Sequence, residues 1–242
     1  MTKFSINLNK FALLRNSRGN NMPNIMAIAQ RCVARGVHGI TVHPRPDQRH
    51  ATSADVEALS TYLAAVPTVE FNVEGYPDAR FLALVVAARP DQCTLVPDAP
   101  GQLTSDHGWD VQGRLGELKP VVQQLHKAGI RVSLFLDPDL AQVQAAKLTG
   151  AERIELYTEP YARAFGTPQQ TSELRRFAAA AALAGSLGLG VNAGHDLNQQ
   201  NLGPFLAEVP NVLEVSIGHA LVCEALDHGL ETTLDRYLAL VR

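Results

Sequence analysis

RVSLFLDPDLAQVQAAKLTGAERIELY, residues 131–157, holds two strands and the helix between them. Arg131 to Leu136 and Arg153 to Tyr157 are β-branched and apolar runs of strand length, and residues 139–148 between them carry the Ala, Gln and Lys of a good helix former. Gly150 follows that helix, where a left-handed residue closes the last turn. Strands joined through one helix cannot form a hairpin, so this stretch predicts a βαβ unit with parallel strands.

The same alternation extends in both directions. Strands are predicted at Phe4 to Leu8, Gly39 to His43, Thr68 to Asn72, Gln92 to Val96, Gly190 to Ala193 and Val212 to Ile217, besides the two above. Helices are predicted near 24–35, 54–65, 77–88, 113–128, 172–187, 198–207 and 219–240, with Ser53 and Ser172 as N-caps. Eight strands with eight helices in 242 residues match a closed (β/α)8 TIM barrel occupying residues 1–242 as a single domain. A doubly wound sheet would show fewer strands and a G-x-G-x-x-G turn after the first, which is missing. Wide gaps after strands 1, 4 and 6 predict extra loop or helix there. Residues 98–110, DAPGQLTSDHGWD, read as a long loop on the catalytic face, either a lid or a fixed connection.

Composition narrows the function. Hydrophobic residues make up 46% and charged residues 19%, the balance of a globular chain with a large core. A net charge of −3 without blocks of like charge argues against nucleic-acid or membrane-surface binding through a global field. The longest apolar runs, Phe81 to Ala88 and Phe177 to Ala184, are short of the roughly 18 residues a membrane span needs. The first residues have no signal-peptide pattern, so a cytoplasmic protein is expected. Cys32, Cys93 and Cys223 are odd in number and scattered in apolar surroundings, as reduced, buried thiols would be.

In a barrel the strand ends converge on one mouth, so Asn7, His43, Arg45, Glu70, Glu155, Asn192, His195 and His219 are expected to crowd one cavity. Arg15 and Arg18 after the first strand, with Arg45 and Arg49 after the second, offer guanidinium forks to a phosphate or carboxylate. Gly194 and Gly218 close strands seven and eight, where barrels commonly bind phosphate on backbone N–H groups, though tight-turn glycines look the same. His43, Glu70 and His195 form a candidate acid/base set. His43, His50, His195, His219 and Glu70 are competent metal ligands, but no ligand-spacing motif supports a metal. Lys10 is either a Schiff-base lysine or a charge contacting phosphate or solvent. These parts fit a barrel aldolase or isomerase acting on a sugar phosphate, or a phosphate-binding protein without catalysis.

The runs LRNSRG (14–19), GITVHPRPDQRH (39–50), LVPD (95–98), LTSDHGWD (103–110), VSLFLD (132–137), IELYT (154–158), SLGLGVNAGH (186–195) and IGHA (217–220) resemble, in order, the pyridoxine 5′-phosphate synthases of the deoxyxylulose 5-phosphate-dependent vitamin B6 pathway. The resemblance implies a cofactor-independent ring closure without metal. It joins 3-amino-2-oxopropyl phosphate with 1-deoxy-D-xylulose 5-phosphate and gives pyridoxine 5′-phosphate, inorganic phosphate and water, in a cytoplasmic homo-octamer. It further implies His43 as proton acceptor, Glu70 as a second acid/base and His195 as proton donor. Arg45, His50 and Thr104 would hold the deoxyxylulose phosphate, and Asn7, Arg18, Asp196, Gly218 and His219 the amino ketone phosphate. This chain has Asn9-Lys10 where the family commonly has Asp-His beside the deoxyxylulose phosphate, and Asp196 where glycine is common. EFNVEGYPDARF (70–81) looks like a longer third loop.

Overall fold

The computed structural model describes residues 1–98, 102 and 104–241. Its strands are β1 (Lys3–Asn7), β2 (Gly39–Val42), β3 (Glu70–Gly75), β4 (Gln92–Leu95), β5 (Arg131–Leu136), β6 (Arg153–Leu156), β7 (Gly190–Ala193) and β8 (Val212–Ile217). They close in that order, with β8 pairing back to β1 and every pair parallel. The helices are α1 (Asn9–Asn16), α2 (Ile25–Ala34), α3 (Ser53–Leu63), α4 (Ala79–Ala88), α5 (Val111–Lys127), α6 (Leu140–Thr149), α7 (Glu159–Ala164), α8 (Gln170–Ser186), α9 (Leu202–Glu208), α10 (His219–His228) and α11 (Leu230–Leu240). The molecule is therefore a (β/α)8 TIM barrel. The expected additions after strands one and six are α1 and α7. After β4, residues 99–101 and 103 of the expected long loop lie outside the described residues.

Period-two alternation decides which way each strand residue faces. Phe4, Ile6, Ile40, Val42, Phe71, Val73, Leu134, Ile154 and Val215 are buried in the layer between sheet and helices. The intervening residues are polar and point into the barrel. Ser5 and Thr41 hydroxyls meet at 2.8 Å, Asn72 reaches Thr41 at 3.5 Å, and Thr94 donates to Asn72 at 3.1 Å, a side-chain belt across four strands. At the strand starts the belt gives way to charge: Lys3 and Arg131 both hold Glu70, at 2.7 and 3.1 Å, and Arg153 holds Glu214 at 3.1 Å.

The third strand begins two residues later than Thr68. After α3 the chain is occupied by turns, Val66 N–H to Leu63 O at 2.8 Å and Val69 N–H to Val66 O at 3.0 Å, and pairing starts only where Glu70 N–H reaches His38 O at 2.9 Å. The strand then runs to Gly75 rather than Asn72. Other corrections are local. Thr52, not Ser53, caps α3, in a capping box with Asp55, and Ser172 lies inside the first turn of α8 with its hydroxyl on Gln169 O. Gly229, at φ 79°, splits the long final helix into α10 and α11. Cys32 and Cys93 are buried as expected, but Cys223 is exposed.

Downstream of the β4 loop, the indole N–H of buried Trp109 donates to Leu95 O at 2.8 Å, and its ring stacks on Tyr76 at 5.7 Å between centroids. The Arg114 guanidinium covers the indole at 5.1 Å. Among the described residues no helix is long and apolar enough to cross a membrane.

Gly194 has a packing reason to be glycine, since a Cβ there would lie 2.1 Å from the Ser216 carbonyl oxygen of the neighbouring strand. Backbone cannot yield as a flexible side chain can. Gly194→Ala is expected to destabilise the fold by about 1–3 kcal/mol, seen as a lowered Tm in thermal denaturation; an unchanged Tm would show that β7 and β8 can separate at no cost.

Candidate functional site

A cavity of about 440 Å³ opens at the C-terminal ends of the strands. It is lined by Asn7, Asn9 and Lys10 from β1 and α1, by His43, Arg45, Arg49 and His50 after β2, and by Glu74 at the end of β3. Thr104 and Ser105 reach it from the β4 loop, Glu155 from β6, and His195, Asp196, Gly218 and His219 from the ends of β7 and β8. Of the residues expected to meet here, Glu70, Arg15, Arg18 and Asn192 do not line the cavity.

Glu70 is at the opposite end of the barrel. It is the first residue of β3 and pairs in register with Gly39, whereas His43 follows the end of β2. Four residue steps along the strand separate it from Glu74, about 13 Å at 3.3 Å per step. Burial opposes ionisation of Glu70, but the Lys3 ammonium and Arg131 outweigh it and hold the carboxyl below its usual range. It serves as an ion-pair partner. The carboxylate that this strand brings to the mouth is Glu74, on the same face, where the sequence predicts a loop. Its signal was present in the alternation Glu70-Phe71-Asn72-Val73-Glu74, whose two acids share one face.

The arginines also divide. Arg15 makes a bidentate pair with Asp55 at 2.5 and 2.7 Å and is committed to holding α1 on α3. Arg18 is exposed. Arg45 is buried against Asp98 and donates to Gln102 O at 2.9 Å; Arg49 also donates to Gln102 O. Asn16 secures this loop from α1, its amide reaching the carbonyls of Gln48, Arg49 and His50 at 3.0, 3.0 and 2.8 Å. Among the described residues Arg45 Nε, His50 Nδ1 and Ser216 Oγ are buried without a hydrogen-bond partner. Buried donors and acceptors left unpaired beside a cavity are where a ligand's polar groups are best accommodated.

The cavity sorts its titratable groups. Burial, reinforced by Arg45, His50, Arg49 and Arg80, pushes the His43 imidazole well below its ordinary pKa, so it is neutral. Burial next to Lys10 and the arginines takes His50 down to about 4. Carboxylates move the other way: burial, then the neighbouring Glu155 and Glu214, raises Glu74 well above the usual range, and burial beside Glu214 brings Glu155 up to about 8. Glu74 accepts from the Asn7 amide at 3.3 Å. His43, whose neutral form burial favours, and Glu74, whose protonated form burial favours, thus face one cavity from the ends of adjacent strands, an imidazole suited to take a proton and a carboxyl suited to give one.

Asn9 keeps a structural duty, because its side-chain oxygen accepts the His43 backbone N–H at 2.8 Å, as either Asn or Asp can. Burial and the positive charges of Arg45 and Arg49 lower the Lys10 ammonium below its usual value. Gly218 is confined by Asn7, whose Cβ would be 3.0 Å from any added Cβ. Among the described residues no group of three or more His, Cys, Asp or Glu side chains is placed to hold a metal ion.

Solved structures with the same architecture include 3-keto-L-gulonate-6-phosphate decarboxylase from Vibrio cholerae, with a TM-score of 0.63 at 14% identity covering 98% of each chain. Phosphoribosyl anthranilate isomerase from Thermotoga maritima gives 0.61 at 12% identity, covering 100% of this chain and 98% of that one. At such identities only the fold is shared. Sequence relatives are far closer. A pyridoxine 5′-phosphate synthase of Albidiferax ferrireducens is 51% identical over 242 residues, covering 98% of this chain and 96% of the relative. One of Xanthomonas campestris pv. campestris is 53% identical over 247 aligned positions, covering 99% and 96%. The family model for the pyridoxal phosphate biosynthesis protein PdxJ matches residues 4–242. Matched over nearly its whole length by that model and by relatives at about half identity, this barrel belongs to the PdxJ family.

Proposed function

We propose that this chain, as one catalytic domain spanning residues 1–242, is a pyridoxine 5′-phosphate synthase. It condenses 3-amino-2-oxopropyl phosphate with 1-deoxy-D-xylulose 5-phosphate to pyridoxine 5′-phosphate, inorganic phosphate and water. The observation that carries the reading is one cavity that His43 and Glu74 line together, with polar and cationic groups on two flanks. Lys10, Arg45, Arg49 and His50 form the flank on the β2 side; Gly218 and His219 form the other, at the start of α10. Two phosphates need two such flanks, and a volume of about 440 Å³ suits small substrates.

Closing a pyridine ring requires imine formation, enolisation, phosphate loss, aldol-type bond formation and dehydration, each a proton transfer at carbon or oxygen. His43 takes protons from carbon and from water-forming hydroxyls. Glu74, in the role first expected of Glu70, returns them, and His195 donates to the departing oxygen. Arg45, His50, Thr104, Asn9 and Lys10 bind the deoxyxylulose phosphate. Asn7, the Gly218 turn and His219 bind the amino ketone phosphate, with Asp196 contributing through its backbone; Arg18, exposed outside the cavity, is left out of this set. Water exclusion follows from the depth of the site, since His43, Arg45, His50, Glu74 and Glu155 are all buried. The resemblance extends the proposal to a cytoplasmic homo-octamer, for which light scattering would return eight times the 26.1 kDa of one chain.

Purified protein given both substrates is expected to generate the ultraviolet absorption of the pyridine product; binding of either substrate with no product would overturn the synthase reading. Glu74→Gln should lower kcat by about 10²-fold or more, whereas Glu70→Gln should leave kcat within about twofold and lower Tm through the lost ion pairs. Equal loss in both would return the catalytic role to Glu70.

Glu155 gives a pH dependence with a definite sign. A carboxyl raised to about 8 in the fold binds a proton that the unfolded chain, at an ordinary 4.5, has released, so its contribution to stability is full below 4.5 and falls as pH rises toward 8. Glu155→Gln should flatten the decline in Tm between pH 5 and 8, read by calorimetry; an identical slope would show that Glu155 titrates normally.

A further inference from the structure

Gly194, His195, Asp196 and Leu197 form a tight turn closed by Leu197 N–H to Gly194 O at 3.0 Å. Asp196 is its third residue, with φ 63°, a left-handed conformation that glycine adopts freely and a β-carbon makes costly. Backbone preference alone would place glycine there. The carboxylate has a partner that glycine lacks: Asp196 Oδ2 lies 2.9 Å from Nδ1 of His195. The other ring nitrogen, Nε2, faces the cavity and is 3.2 Å from the Thr104 hydroxyl. The ring is held edge-on by Tyr157 at 5.0 Å and flanked by Phe135 at 6.4 Å, and the His195 carbonyl accepts from the Thr158 hydroxyl at 2.5 Å. From the far side, the Asn201 amide donates to the Asp196 carbonyl at 3.2 Å.

We infer that Asp196 is a positioning residue whose carboxylate fixes the His195 ring with Nδ1–H bonded to Oδ2 and Nε2 presented to substrate, a His–Asp pair built within one turn. The inference rests on the proton-donor role proposed for His195. Imidazolium gives its Nε2 proton to the departing oxygen, which keeps the electron pair of the broken carbon–oxygen bond, and the neutral ring retains Nδ1–H on the carboxylate. The hydrogen bond from His195, opposed by burial and aided by the nearby His219 of α10 and Lys10 of α1, holds the Asp196 carboxyl below its usual range. The other acids near the ring are Glu159, Asp106 and Asp137, which with Asp196 act on the neighbouring Tyr157 hydroxyl. A carboxylate turned onto an imidazole is also turned off the phosphate, leaving the turn's backbone N–H groups for an anion.

The test separates position from fold. Asp196→Gly removes the carboxylate and relieves the left-handed backbone, so Tm should hold or rise by about 2 °C while kcat drops by roughly 10–10²-fold and KM for the amino ketone phosphate stays within about twofold. In ¹⁵N-histidine-labelled protein, the wild-type His195 signals should report an Nδ1–H tautomer that the Gly variant loses, a readout independent of turnover. Asp196→Asn, keeping an acceptor oxygen without its charge, should fall between the two. A wild-type kcat in Asp196→Gly, an unchanged tautomer signal, or a change confined to KM would each overturn the inference. A wild-type enzyme that makes no product would instead sink the synthase reading, and the tautomer measurement would still decide the pairing.

Discussion

The register of β3 against β2 governs what the barrel can do. Parallel pairing that matches Gly39 with Glu70 and Val42 with Val73 carries Glu74 to the level of His43 and leaves Glu70 beside the strand starts. A slip of one residue would turn Phe71 and Val73 into the barrel and the acids out among the helices. That slip is prevented from both faces: Phe71 and Val73 are buried in the apolar layer, and Asn72 is tied to Thr41 and Thr94. The chemistry at the mouth thus depends on packing that does not touch it.

A polar barrel interior is costly unless its charges are compensated, and the two ends solve that differently. At the strand starts, Glu70 and Glu214 are paired with close cations, Glu70 with Lys3 and Arg131 and Glu214 with Arg153. At the mouth, Glu74 and Glu155 form no ion pair among the described residues, and burial raises their pKa values instead, that of Glu155 to about 8. The same burial, with Arg45 and Arg49 adding to it, lowers the His43 imidazole. One low-dielectric cavity therefore yields an acid and a base, because burial disfavours the charged form of either group and the neighbouring charges reinforce it.

Periodicity made the eight βα units legible, since each strand's apolar parity and each helix's punctuation are local properties. The gaps after strands one and six correctly anticipated α1 and α7. What sequence did not reveal was the boundary of β3. The turns at 64–69 and the strand at 70–75 are both apolar enough to pair, and only the reach of Glu70 N–H to His38 O, a contact between distant segments, selects the start. The error moved a candidate acid by a full strand length. Arg15 lies outside the cavity for a related reason: a guanidinium near a strand end can serve a ligand or a neighbouring carboxylate, and Asp55 of α3 claims Arg15. Thr52 displaced Ser53 as cap by one residue, because Asp55 completes the capping box with it.

Trp109 is the chain's single tryptophan. It lies where the β4 loop rejoins the barrel, hydrogen-bonded to Leu95 and enclosed by Tyr76 and Arg114. The far side of that loop is fastened to Arg45 and Arg49 through the Gln102 carbonyl, the same guanidinium groups that line the cavity. An anion drawing those arginines inward competes with Gln102 for their N–H groups. Were a phosphate bound there, as proposed, those two bonds would be lost seven residues from the chain's one indole, and tryptophan emission would be the label-free measurement to follow them.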